Sequence, residues 1–262
     1  MQNKMIFKIA DIHPQVYNDE GAEYAQHYLS WRLPMKKILY HGSDQIIRTL
    51  QFHGGKPHND YGYGFYCTES CEMAKEWAVS EEHDGYANRY ELELEGMKIL
   101  NLNCDHSILT WLTVLIQNRT FNIDTPLAAE FSRYLRENFC VDTTNYDLIV
   151  GYRADDSYFS FAQDFLSGAI SYQQLCRAMY LGELGEQIVL ISPATFSAIH
   201  YVGCEEALRS DWLHRKTERD RRARTEYLQS DRMRYRRGEL YAAAILDEEI
   251  GPDDPRLMRV RI

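Results

Sequence analysis

A chain of 262 residues, 45% of them apolar and 19 of them tyrosine, has ample material for a packed core, which excludes global disorder. No run nears the roughly 18 apolar residues of a membrane helix, and the first residues lack the apolar stretch and small-residue cleavage site of a secretion signal, so a cytoplasmic protein with no membrane partner is expected. The net charge of −10 argues against nonspecific nucleic-acid binding, whose affinity comes from neutralising phosphates.

The six cysteines are scattered, and Cys67 and Cys71 have neither zinc-knuckle nor redox spacing, so reduced thiols are expected. Residues 1–35 are polar, and Met35-Lys36-Lys37-Ile38 looks like a translation start, so 1–35 reads as an extension. Ile38-Leu39-Tyr40 is a short strand running into a turn at His41-Gly42-Ser43, and Asp44–Leu50 can begin a short helix. Residues 54–60 form a loop by composition, Gly64–Thr68 a strand, and Ser70 an N-cap for a helix reaching Glu81.

Asn88–Leu94 alternates as a half-buried strand does, and Met97–Leu102 follows it across Gly96. Helices are expected at Ser107–Gln117, Leu127–Asn138, Tyr158–Leu166 and Tyr172–Tyr180. Strands are expected at Tyr146–Gly151, Gln187–Ile191 and Ala198–Val202, with a Ser-Pro turn between the last two. Strands, then helices, then strands make an α+β domain with mixed sheets over 36–204. From Glu205 the chain turns highly charged, and a long exposed helix is expected. Its segment Arg209–Arg237 holds 11 basic and 5 acidic residues, either a solvated, self-paired surface or a docking arm for an acidic partner, an RNA or an antitoxin.

Three separated segments carry candidate chemistry: Tyr40-His41-Gly42-Ser43, Gly62-Tyr63-Gly64-Phe65-Tyr66 and Glu186-Gln187-Ile188-Val189. Each alone is weak, since a strand-terminal His is usually packed or solvated and a G-x-G is common in tight turns. In this order and on these elements they resemble the ADP-ribosyltransferase fold of the poly(ADP-ribose) polymerase and diphtheria-toxin branch, with its H-Y-E triad or variants of it. Over about two thirds of the chain, L-Y-H-G-S, G-x-G-F-Y-x-T, Y-D-L-I-V-G-x-x-A-D-D and the late Q-I-V look more narrowly like a bacterial, toxin-like family within that fold. Some members of that family are expected beside small antitoxin genes.

The resemblance implies a split mixed sheet with inserted helices, a helical C-terminal appendage over 205–262, and NAD as co-substrate with no metal. It places His41, Tyr66 and either Glu186 or Gln187 as catalytic residues, with Gly42, Ser43, Gly64 and Trp77 also on the NAD. The backbone of Gly42 can satisfy both the donor and the acceptor of nicotinamide's amide, and His41 can bond the adenosine ribose. Tyr66 and Trp77 can hold the pyridinium by stacking and cation–π attraction, on the order of 1–2 kcal/mol when desolvated.

A carboxylate near the nicotinamide ribose would favour positive charge at the anomeric carbon. Neighbours on a strand point to opposite faces, so only one of Glu186 and Gln187 can serve. The narrower family favours Gln187, the general mechanism Glu186. Asp155-Asp156 either cap the next helix or reach the site mouth, and Asn118-Arg119 are either a surface pair or a phosphate contact. The expected activity is transfer of one ADP-ribose to an intracellular protein or nucleic acid, possible rivals being NAD hydrolysis and binding without turnover.

Overall fold

The computed structural model describes residues 36–154, 156–181, 185–230 and 235–257. The extension expected at 1–35, Asp155 and the Asp156 side chain lie outside the described residues. The fold is α+β with two sheets. In the first, β1 (Lys36–Ser43) and β7 (Ile199–Ala207) flank β3 (Gly85–Glu93), all antiparallel. In the second, β2 (Phe65–Cys67), β6 (Glu186–Leu190), β5 (Leu148–Tyr152) and β4 (Ile99–Asn101) lie in that order, and only β4 and β5 run parallel. Tyr40 and Thr68 exchange backbone bonds of 2.8 and 2.9 Å and form the one isolated bridge between β1 and the chain beside β2 among the described residues.

The helices are α1 (Cys71–Ala78), α2 (Ile108–Asn118), α3 (Pro126–Asn138), α4 (Asp156–Leu166), α5 (Tyr172–Ala178), α6 (Pro193–Ala198), α7 (Arg209–Ser230) and α8 (Ala242–Asp247). Local chemistry sets several starts. Ser70 accepts from the Met73 N–H, Thr125 from Ala128 ahead of Pro126, and Ser171 forms a reciprocal box with Gln174. Residues 108–116 of α2 are all buried, the pattern of a helix packed on every side. At its centre Trp111 is fully buried, and its indole N–H reaches the Tyr61 hydroxyl (3.0 Å) and the Tyr152 carbonyl (3.1 Å). Tyr61 donates in turn to Tyr152 O at 2.5 Å. The loop ahead of β2 is thereby tied to the core.

The structure departs from the sequence expectations in five places. The turn expected at His41-Gly42-Ser43 is strand, because β1 stays paired with β3 as far as Ser43–Tyr86. No helix forms at 44–50. The buried Asn88 instead binds Ile47 N–H and Gln45 C=O, both at 2.9 Å, and Tyr90 donates to Ile47 O. Those backbone groups are satisfied without a helix. The first helix stops at Ala78 rather than Glu81, since Val79 turns extended and buries itself beside Ala207. The Ser-Pro turn is the one-and-a-half-turn helix α6, capped by Ser192.

The fifth departure is the charged C-terminal helix, which is not a freely exposed appendage. On α7, Ala223 and Tyr227 are buried, and Tyr227 stacks 4.0 Å from Phe161 and donates to Asp164 (2.8 Å). Leu240, Ala242, Ile245, Ile250 and Leu257 belong to the main core cluster. All six cysteines are free. No helix among the described residues is long and apolar enough to cross a membrane.

Candidate functional site

A cleft of about 1060 Å³ receives His41, Gly42, Gly64, Tyr66, Trp77 and Gln187 from five different elements and loops. Gly42 shows how the fold opens it. In a strand the N–H and C=O of residues i and i+2 point to the same edge. Tyr40 uses that edge for the bridge to Thr68, so the amide and carbonyl of Gly42 lie on the same edge one step past the bridge. The glycine is also a packing requirement, because a Cβ there would stand 2.1 Å from the Ala74 carbonyl and 2.8 Å from Trp77 Cβ. Strand β1 and helix α1 therefore touch through a missing side chain, which holds Trp77 beside the strand.

His41 presents its Nδ1 2.7 Å from the Tyr66 carbonyl. A carbonyl only accepts, so Nδ1 carries the proton and the neutral ring keeps Nε2 as an acceptor. Burial lowers the His41 pKa below its ordinary 6.5, and the bond to Tyr66 O only partly offsets this. Tyr66 is fixed at the tip of its side chain. Its hydroxyl donates to Gly62 O (2.7 Å) and accepts from Tyr61 N–H (3.0 Å), leaving the ring as its contribution to the cleft. Burial raises the phenol's pKa, and the charge of Asp60 adds to the shift. It remains a neutral hydroxyl. Gly64 lets β2 approach β6, where a Cβ would meet Val189 Cγ1 at 2.4 Å.

Pairing separates Glu186 from Gln187. Tyr66 stands opposite Val189, so Gln187, two residues away, shares its face. Gln187 is buried and lines the cleft, and its Oε1 has no hydrogen-bond partner. Glu186 takes the other face, where it accepts from Asn103 Nδ2 at 2.7 Å. Glu186→Gln is therefore expected to leave ligand binding in the cleft within about twofold, because Glu186 does not line the cleft and its carboxylate is turned to Asn103. Isothermal titration would show otherwise if Glu186 reached the cleft.

Ser43 and Trp77 differ from the other sequence-selected residues. Ser43 does not line the cleft, and its hydroxyl instead accepts from Gln45 N–H and contacts Asp44. Trp77 does line it, but the guanidinium of Arg153 already sits 4.6 Å from the centre of its ring. A cation from the protein itself therefore already lies over the ring expected to stack on the pyridinium. The indole N–H of Trp77 is buried without a hydrogen-bond partner.

Sequence reasoning missed two parts of the site. Asp60 is buried in the cleft, accepting from Arg119 (2.6 Å), from Ala154 N–H (2.9 Å) and, at 3.5 Å, from Gln187 Nε2. Burial raises its pKa above 3.8, against the pull of the Ala154 N–H, Arg119 and Arg153. In the sequence it was one acid in a polar loop. The second omission is α7, whose Lys216 and Arg219 also line the cleft. Arg219 pairs with the buried Glu76 at 2.7 Å, and Lys216 reaches Val79 O. With Arg119 and Arg153, the cleft has four basic residues against Asp60, Glu76 and Asp220. An acidic protein thus has a pocket with a slight positive balance, which suits an anionic ligand.

No curated protein and no solved structure matches the chain. A family model described as "Protein of unknown function (DUF3990)" matches residues 37–201, more than half of the chain. The match takes in every strand that contributes to the cleft and stops before α7. The protein belongs to the DUF3990 family.

Proposed function

We propose that the two parted sheets form an ADP-ribosyltransferase-type split sheet, and that the cleft binds NAD and transfers ADP-ribose to an intracellular acceptor. The observation that carries this reading is the convergence of His41, the Gly42 edge, the Tyr66 ring and an unpartnered Gln187 oxygen on one cavity. Each offers what a part of NAD needs. Gly42 presents a donor and an acceptor to the carboxamide, and the Tyr66 ring a flat face to the pyridinium. Nε2 of His41 and Oε1 of Gln187 are acceptors suited to ribose hydroxyls, and the basic residues suit the pyrophosphate.

In the reaction the nicotinamide–ribose bond breaks and its electron pair leaves on nicotinamide. The acceptor's nucleophile then bonds to the anomeric carbon and loses its proton. The protein's share is to grip the leaving group and hold the ribose in place, since orientation alone contributes several kcal/mol, up to roughly 7–11 in well-aligned cases.

Purified protein incubated with NAD is expected to release nicotinamide, and Tyr66→Ala to bring release to background. Release that persists in Tyr66→Ala, or that never occurs in the unaltered protein, would count against the assignment. Labelled NAD in a cell lysate separates transfer, which marks a macromolecule, from hydrolysis, which yields only free ADP-ribose. One observation favours a second reading, binding without turnover: the β6 residue facing the cleft is a neutral amide. Calorimetric binding of NAD with no nicotinamide released would support it.

A further inference from the structure

The cleft does contain a buried carboxylate, and it comes from the loop before β2 rather than from β6. Three donors converge on Asp60. One oxygen takes the Arg119 guanidinium at 2.6 Å, and the other takes Ala154 N–H at 2.9 Å and Gln187 Nε2 at 3.5 Å. An ionised carboxylate is an acceptor on both oxygens and satisfies all three, whereas a carboxylic acid or an amide would turn a donor toward a donor. The Gln187 amide has two ends. Because Asp60 draws Nε2, Oε1 is directed away from it, and that oxygen is the buried atom without a partner. Arg119, braced over the Phe159 ring at 5.0 Å and 31% exposed in its side chain, keeps further N–H groups available.

We infer that Asp60 is the positioning residue of this site, fixing the Gln187 acceptor and the Arg119 donor at a set separation so that one meets a ribose hydroxyl and the other a phosphate oxygen. This rests on the cleft being an NAD site. It also accounts for a neutral amide on β6, because the acid stands behind that amide and polarises it through the shared bond.

The test is a double-mutant cycle on nicotinamide release with Asp60→Asn and Gln187→Met. Asp60→Asn is expected to lower kcat about 100-fold, the size of effect that a roughly 1 Å misplacement produces. In the Gln187→Met background the same change is expected to cost only a few-fold, because its route to the substrate is already gone. A merely structural role would add the two losses, and additivity overturns the inference.

A second readout does not depend on the variants folding. In the unaltered protein kcat is expected to fall at acid pH with a limb that moves to higher pH in organic cosolvent, as a neutral acid does and an imidazolium does not. A limb unmoved by cosolvent, or no limb, overturns the role of Asp60. If the unaltered protein neither binds NAD by calorimetry nor releases nicotinamide, the NAD assignment fails and this inference with it. Binding and release with an additive cycle removes the inference alone.

Discussion

His41→Ala is expected to reduce nicotinamide release by about 100-fold or more, because it removes a preorganised acceptor from the cleft. It also strips the Tyr66 carbonyl of the ring N–H that now bonds it at 2.7 Å. The pH dependence identifies the group. His41 has its pKa lowered by burial, so at neutral pH it is an uncharged acceptor and stays so below the ordinary 6.5. NAD affinity is therefore expected to be level from alkaline pH down to 6.5, and to weaken only below that value as Nε2 takes a proton.

Stability follows the same sign. The folded pKa lies under the unfolded one, so the contribution of His41 is present above pH 6.5. It is lost as pH falls toward the depressed folded value. Titrating NAD affinity and urea midpoints in parallel checks both, and an affinity that already declines between pH 8 and 7 would mean that His41 is not the acceptor described.

Gly42→Ala is the second large effect, and it acts through packing. The new methyl would lie 2.1 Å from the Ala74 carbonyl and 2.8 Å from the Ala78 nitrogen, both backbone atoms that cannot swing aside. Overpacking of this kind costs about 1–3 kcal/mol and sometimes more. For a chain of this size a loss of about 3 kcal/mol lowers Tm by roughly 6–12 °C. Relief requires β1 and α1 to separate, which shifts the Gly42 edge within the cleft, so nicotinamide affinity is expected to fall together with Tm. Gly251→Ala is the control, since a Cβ there meets nothing within 4 Å. Thermal melts of the two variants decide the matter, and a Gly42→Ala protein melting alongside Gly251→Ala would refute the close strand–helix contact.

The sequence made the strand and helix skeleton legible where local chemistry is strong. Ser70 announces a helix start through its side-chain oxygen, and the alternation of Tyr90 and Leu92 with Glu91 and Glu93 gives the buried face of β3. The choice between Glu186 and Gln187 was not legible, because a strand's facing depends on what pairs with it. Only the register Tyr66–Val189 resolves it. Asp60 was hidden for a related reason: its role comes from Arg119, Ala154 and Gln187, all distant in the chain. The burial of α7 was obscured because its inward stripe, Leu213, Lys216, Arg219, Asp220, Ala223 and Tyr227, has the right helical spacing but is half charged. Its charged members are tolerated there through partners on other elements, such as Glu76 and Ser157.

The family match ends at residue 201, while the walls of the cleft continue to Asp220. The two portions are built differently. The matched strands grip through backbone edges and glycines, whose geometry allows little revision, whereas α7 contributes long side chains from a surface helix that can be exchanged one residue at a time. A protein assembled this way can retain one half of its pocket unaltered while the other half diversifies.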